Sequence, residues 1–341
     1  MITATGNIYS SQLFYRITAL WVICEAFAGG IMHGIKLPFS GMMVSSLAVF
    51  CIILLARYVP SRTAILKATI IVAIFKLMLS PHSPPTAYIA VFFQGLLGQL
   101  LFLNKRFFTL SAILLSVLGL VESAIQRILV LVILYGNDFW KAVNEFIKKV
   151  TGDKTINNYS FTIAIIYIII HGLVGIFVGY FAAKLVKNSG RWKAQLPHYI
   201  INEKSYLNDP LLARPAKKKK KLKLFFLITW ILLFAFYIQS LVDPTASFLP
   251  KDKVLQIVIR SVLIIIAWYL FISPLIMLAI KKTLLAKQAG NKEDLNATMQ
   301  LLPEIKMIFQ KSWQFSSDKK GLKRLKLFLK ILLMNVLETG N

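Results

Sequence analysis

Acidic residues and cysteines are scarce in this chain. Fourteen Asp and Glu stand against forty Lys and Arg in 341 residues, and there are two cysteines. Cys24 and Cys51 both fall inside apolar runs. No disulfide framework and no zinc spacing can be built from them, so both read as small core residues. A GxxxxGK[ST] phosphate loop is missing, so any ATP-driven step needs a partner. HExxH and GxSxG are missing too, which weakens metalloprotease and serine-hydrolase readings. The N-terminus lacks a basic segment followed by a cleavage site, and the first apolar run is expected to be a retained span rather than a signal peptide. No metal site, cofactor or enzymatic activity is expected.

What is present is apolar. Hydrophobic residues make up 57% of the chain and charged residues 16%, against about 25% charged in an ordinary soluble protein. Runs of about 20 apolar residues recur, each long enough for a bilayer core of about 30 Å. The fold class expected is all-α, a polytopic helical membrane protein. The net charge of +26 would suggest nucleic acid in a soluble protein. Here the basic residues collect in certain loops and in the C-terminal tail, the pattern of the positive-inside rule, and no nucleic-acid partner is expected.

Eight spans are expected. The first runs from about Gln12 to His33 and carries Glu25; the second, Leu37 to Tyr58, ends in basic residues. The third, Ala64 to Ser80, holds Lys67 and Lys76, both expected to snorkel towards opposite faces. The fourth runs from Thr86 to Leu103. The fifth, Phe107 to Tyr135, exceeds one crossing and is expected to be tilted, or broken near Glu122, Gln126 and Arg127. A polar loop from Gly136 to Tyr159 contains apolar residues at helical spacing, suiting a helix on the membrane surface. The sixth span, Ser160 to Ala183, carries His171 and a Gly175-xxx-Gly179 pair suited to close helix approach.

A polar stretch from Lys184 to Lys223 follows, with twelve Lys and Arg against Glu203 and Asp209. The seventh span is expected at Leu224 to Leu241 and the eighth at Val254 to Ile280. The domains expected are therefore 1–183, a basic cytoplasmic linker 184–223, and a two-span region 224–341. Basic ends follow every even-numbered span, which places both termini in the cytoplasm of a cell (inner) membrane protein. Beyond Lys281, Met299, Leu302, Ile305, Phe309 and Trp313 recur at helical spacing, as do Leu322, Leu325, Leu329, Leu332 and Val336. Two amphipathic cytoplasmic helices are expected there, lying on anionic lipid or docked in a groove on a partner protein.

The region from about Arg16 to Ala183 resembles a substrate-binding S component of an energy-coupling factor (ECF) transporter. The likeness is carried by the LPFSG turn at Leu37 to Gly41, the turn from Arg57 to Arg62, and the stretch from Pro81 to Gln99 with FFQGLLGQ. The resemblance implies a six-span bundle that binds a vitamin or similar micronutrient near the outer face. It implies no ATPase of its own, and dependence on a separate T component with two ATPase subunits. The region from about Leu224 to Asn341 is faintly similar to a T component, but lacks the Ala-Arg-Gly or Ala-Arg-Ser triplet and has only two spans.

Intramembrane ionisable residues are functional candidates by default. The expected substrate-binding residues are Glu25, His33, Gln94, Glu122, Gln126 and His171, for a small-molecule nutrient. Glu25 reads equally as a paired structural carboxylate, and Gln94 and Gln99 as hydrogen bonders between helices. Lys323, Arg324, Leu325 and Leu329 are the expected partner-coupling residues. The function expected is a membrane uptake subunit; the rival is a membrane scaffold acting through its basic tail. A lipid-directed enzyme ranks last, because no catalytic spacing supports it.

Overall fold

The computed structural model describes residues 4–28, 40–80, 83–152, 158–201, 238 and 251–338. His33, His82, the Lys217–Lys221 block and all of the seventh expected span except Ile238 lie outside these. Among the described residues the chain is helical, with no strand. The principal helices are α1 (Ala4–Ile23), α2 (Ser40–Tyr58), α3 (Ala64–Leu79), α4 (Pro85–Leu101), α5 (Phe108–Thr151) and α6 (Tyr159–Asn188). They are followed by α7 (Lys251–Ala267), α8 (Ser273–Gly290), α9 (Lys292–Phe315) and α10 (Gly321–Val336). A π-helical turn, Cys24–Ala28, extends α1, and another, Trp268–Ile272, joins α7 to α8.

Four helical stretches are long and apolar enough to cross a membrane: Ser40–Tyr58, Phe108–Asn137, Tyr159–Asn188 and Leu255–Gly290. This is compatible with a multi-pass membrane protein. The helices α3 and α4 are apolar but shorter, about 24–26 Å at 1.5 Å per residue.

Burial divides the helices into two groups. Nearly every residue from Leu13 to Glu25 is buried, Trp21 and Ile17 completely, because α1 is enclosed by α2, α3 and α9. The middle of α2 is equally enclosed, from Ala48 to Ala56. By contrast α5, α6, α7 and α8 expose rows of large apolar side chains, among them Leu118, Phe161, Leu173, Phe177, Leu263 and Leu270. Such faces suit acyl chains and would be unfavourable in water.

The pair of α5 and α6 is set by glycine. A Cβ on Gly175 would lie 2.7 Å from the Val117 Cα, and one on Gly179 would lie 2.6 Å from the Ile113 Cα. Both approaches are to backbone, which cannot yield as a side chain can, so the expected close contact at this glycine pair is realised. The break in α5 falls elsewhere than expected. The helix is regular through Glu122, Gln126 and Arg127, and departs from helical geometry at Gly136 (φ 68°, ψ −173°), a conformation open to glycine alone. Beyond it the chain is helical again to Thr151, so the stretch expected to be a polar loop carrying a helix is helical over most of its length. The kink falls at Gly136, where glycine supplies the permissive backbone. Ser261 of α7 donates to the Leu134 carbonyl beside the kink at 3.3 Å.

The C-terminal helices pack onto the bundle. Ile305, Met307 and Ile308 of α9 and Phe328, Ile331, Leu332, Leu333 and Val336 of α10 are buried. Their apolar faces are therefore partly occupied inside the chain, chiefly by α1 and by each other, while Met299, Trp313, Leu322 and Leu325 remain exposed. Residues 184–201, expected to begin the linker, pack there as well: Trp192 is buried under Lys330, Asn335 Nδ2 donates to the Tyr199 carbonyl at 3.0 Å, and the Ile201 amide donates to Asn335 Oδ1 at 2.8 Å.

Candidate functional site

The site grows from two charges that apolar runs force together. Glu25 sits in the π-helical turn at the end of α1, and Lys76 in the last turn of α3. Glu25 Oε2 and Lys76 Nζ are 2.6 Å apart, with side chains only 4% and 5% exposed. Lys76 therefore does not snorkel as expected. Its ammonium is turned inward because an unpaired carboxylate in that position would be costly, and the pair is less so. Lys76 Nζ also donates to the Ala87 carbonyl at 3.4 Å and lies 6.0 Å from the centre of the Tyr88 ring.

Beside this ion pair is a half-open cavity of about 90 Å³ lined by residues from α1 to α5. Its polar lining comes from Glu25, Lys76, Ser45, Thr86, Gln94, Ser123 and Gln126. Gln94 Nε2 donates to Ser45 Oγ at 3.0 Å, tying α4 to α2. Gln126 Nε2 donates to Glu122 Oε1 and, at 3.4 Å, to the Thr86 carbonyl. Glu122 and Gln126 are one turn apart on α5, the i,i+4 relation expected from their spacing. The second carboxylate oxygen of Glu122 is buried and has no hydrogen-bond partner among the described residues, nor has the hydroxyl of the fully buried Tyr88.

Three of the six expected substrate-binding residues thus meet: Glu25, Gln94 and Gln126 line the cavity. Glu122 is not in the lining and is bonded to Gln126. His171 does not join them. It is buried on α6, its Nδ1 donating to the Tyr167 carbonyl at 2.9 Å and its ring 4.3 Å from the Tyr167 ring. His33 lies outside the described residues. Ser45, Ser123 and the role of Lys76 were missed from sequence. The signal for Lys76 was present: an acid and an amine in neighbouring apolar runs each need a partner, and each can be the other's. The serines carried no signal, since small hydroxyls in apolar helices usually bond their own backbone. Gln99 reaches the Arg62 carbonyl and accepts from the Leu66 amide at 3.3 Å, joining α4 to α3 as expected.

A second ionic cluster sits nine residues before Glu25, at Arg16 of α1. Arg16 Nη1 pairs with Glu304 of α9 at 2.6 Å, and its Nε and Nη2 donate to the Val336 and Asn335 carbonyls at 2.9 and 3.0 Å. Asp294 of α9 accepts from the Tyr15 hydroxyl at 2.8 Å and pairs with Lys67 at 2.9 Å. These contacts anchor α9 and α10 to α1 and α3. Among the expected partner-coupling residues, Lys323 and Leu325 are exposed and Leu329 packs against the core. Arg324 lies 4.2 Å from the centre of the Trp313 ring. Among the described residues no group of three or more His, Cys, Asp or Glu could hold a metal ion.

Comparisons with protein-family models, with curated proteins and with solved structures find no match to this chain.

Proposed function

We propose that this protein is a membrane-embedded binding and uptake subunit for a small, vitamin-like polar nutrient, energised by ATPase subunits in trans. The observation that carries the reading is the convergence of Glu25, Lys76, Gln94 and Gln126, from four different helices, on one half-open cavity inside an apolar bundle. Polar groups are costly in such surroundings and are retained where they serve a solute path or site. At about 90 Å³ the cavity takes a head group, since whole drug-sized ligands occupy pockets of about 300 Å³ or more. The resemblance of residues 16–183 to an ECF S component points the same way, with a six-span bundle, both termini cytoplasmic, and a T component as partner. On this reading the outward face of α10, with Lys319, Lys320, Lys323, Lys326 and the 80% exposed Leu322, meets anionic lipid or the coupling subunits.

The test is purification from the native membrane in mild detergent, followed by mass spectrometry of the co-purifying subunits and of small molecules released on denaturation. A bound solute together with ATPase subunits is the expected result. A clean protein with neither would overturn the reading in favour of a membrane scaffold acting through α10.

A further inference from the structure

The helix α10 is divided along its length. Its C-terminal half packs into the bundle, with Ile331, Leu333 and Val336 completely buried. Its N-terminal half stands clear: Leu322 is 80% and Leu325 46% exposed, and Lys323 and Lys326 beside them are exposed too. The turn before it, from Ser317 to Lys320, is exposed throughout, as are Trp313 and Phe315 at the end of α9. The order of residues gives this half two stripes. Leu322, Leu325 and Leu329 recur at i, i+3 and i+7 and share one face. Each is followed directly by a lysine, Lys323, Lys326 and Lys330. One residue is about 100° of helical turn, so a basic stripe runs alongside the leucine stripe. At the third pair both stripes reach the bundle: Leu329 packs against the core, and Lys330 Nζ lies 5.5 Å from the centre of the Trp192 ring. Trp192 follows Asn188, the end of the candidate span α6, by four residues. The exposed half of α10 therefore leaves the bundle at the end of a span.

Its charge is unmatched within the chain. From Ser317 to Val336 six Lys and Arg stand against Asp318 alone. Lys319, Lys320, Lys323 and Lys326 make no ion pair among the described residues. The undescribed stretches hold only four acids, Asp153, Glu203, Asp209 and Asp243, and between residues 202 and 223 eight Lys and Arg outnumber Glu203 and Asp209. The counter-charge has to come from outside. Lysine is depleted from the contact surfaces of protein partners. A cluster of about four to eight Lys and Arg on an amphipathic helix beside a span instead matches anionic headgroups, with the apolar stripe entering the acyl boundary. We infer that the N-terminal half of α10 lies on the anionic lipid of the adjoining leaflet, with Leu322 and Leu325 in the headgroup boundary and the four lysines against lipid phosphates. The buried C-terminal half is the anchor that holds it there. This assignment stands apart from the uptake reading, since it holds whether or not the bundle carries a solute.

A nitroxide label on Leu322→Cys in the full chain tests it. Cys24 and Cys51 are buried, and the unsubstituted chain corrects for any label they take up. The labelled protein is placed in bilayer nanodiscs of phosphatidylcholine alone, or of phosphatidylcholine mixed with phosphatidylglycerol. Collision with oxygen reports lipid, and collision with a neutral nickel chelate reports water. In the anionic bilayer the label should be shielded from the chelate and open to oxygen; in the neutral one it should stay in water. Raising the salt concentration should release it. Each lysine near an anionic surface is worth about fivefold in the docked-to-undocked ratio. Replacing Lys319, Lys320, Lys323 and Lys326 together by Gln should therefore lower that ratio by roughly several hundredfold and return the label to water. All four side chains are exposed, so the fold is not at stake in that variant. Equal shielding in both bilayers, water exposure in both, or shielding that survives the four Lys→Gln changes would each overturn the lipid assignment. Shielding that appears only with co-purified subunits present would overturn it in favour of a protein partner. Release of a solute from the native protein bears on the uptake reading alone.

Discussion

Two levels along α1 handle charge in opposite ways. At the Glu25 level, one carboxylate and one ammonium face each other with almost no exposure, next to a small cavity. At the Arg16 level the charges are spread over several partners on α9 and α10, and Lys67 is 45% exposed. The spacing is the same on both helices: Arg16 and Glu25 are nine residues apart on α1, as are Lys67 and Lys76 on α3. The two helices run parallel, and their charges form two layers about 13.5 Å apart at 1.5 Å per residue. The difference teaches what each layer is for. The Arg16 layer joins helices that would otherwise separate, and every acceptor it uses belongs to the chain. The Glu25 layer is buried and borders open space, and a carboxylate oxygen of Glu122, which is bonded to the lining residue Gln126, has no hydrogen-bond partner among the described residues.

Breaking the buried layer should have the largest effect. Glu25→Leu leaves the Lys76 ammonium buried without its partner, which should cost about 3–5 kcal/mol in detergent unfolding. The double variant Glu25→Leu, Lys76→Leu should recover most of that stability, because apolar replacement of a whole buried pair is often neutral, while solute retention stays lost. A double variant as unstable as the single one would show that the pair is not the unit.

The Arg16 layer comes next. Arg16→Met removes the Glu304 pair and two carbonyl contacts, a loss of about 2–3 kcal/mol for charged hydrogen bonds. It should appear as faster protease cleavage of α9 and α10, with solute binding unchanged. Loss of solute binding alongside would mean that the two levels of α1 are energetically one.

Away from both layers, Gly179→Val should wedge α6 off α5 at Ile113, costing about 1–3 kcal/mol by overpacking. It would sharpen the comparison if the α5 side of the cavity were lost while the Arg16 layer held. The smallest effect is expected from Lys67→Met, at most about 1 kcal/mol for an exposed pair, and that difference should shrink as salt is raised. An effect matching that of Glu25→Leu would erase the distinction between the layers.

Several features were legible in the sequence because they depend on local pattern. Apolar runs of bilayer length gave the all-helical class. The Gly175–Gly179 spacing gave the α5–α6 contact, and the i,i+4 spacing of Glu122 and Gln126 put them on one face. The 3-4 periodicity of residues 299–313 and 322–336 gave α9 and α10. Reading Lys76 in isolation failed: whether a lysine snorkels or turns inward depends on what its neighbours across the bundle offer.

By itself the sequence determined that the chain is helical, where most of its helices lie and which charges are stranded in apolar stretches, since these follow from residue type and period along the chain; of the eight spans expected, four helical stretches among the described residues are long and apolar enough to cross a membrane. Only the tertiary structure decided that Glu25 is answered by Lys76, that α9 packs on α1 and α10 on α9, and that α5 bends at Gly136. It also separated His171 from the cavity that gathers Glu25, Gln94 and Gln126. Each of these depends on the distance between residues far apart in the chain, and helical periodicity carries no information about that distance.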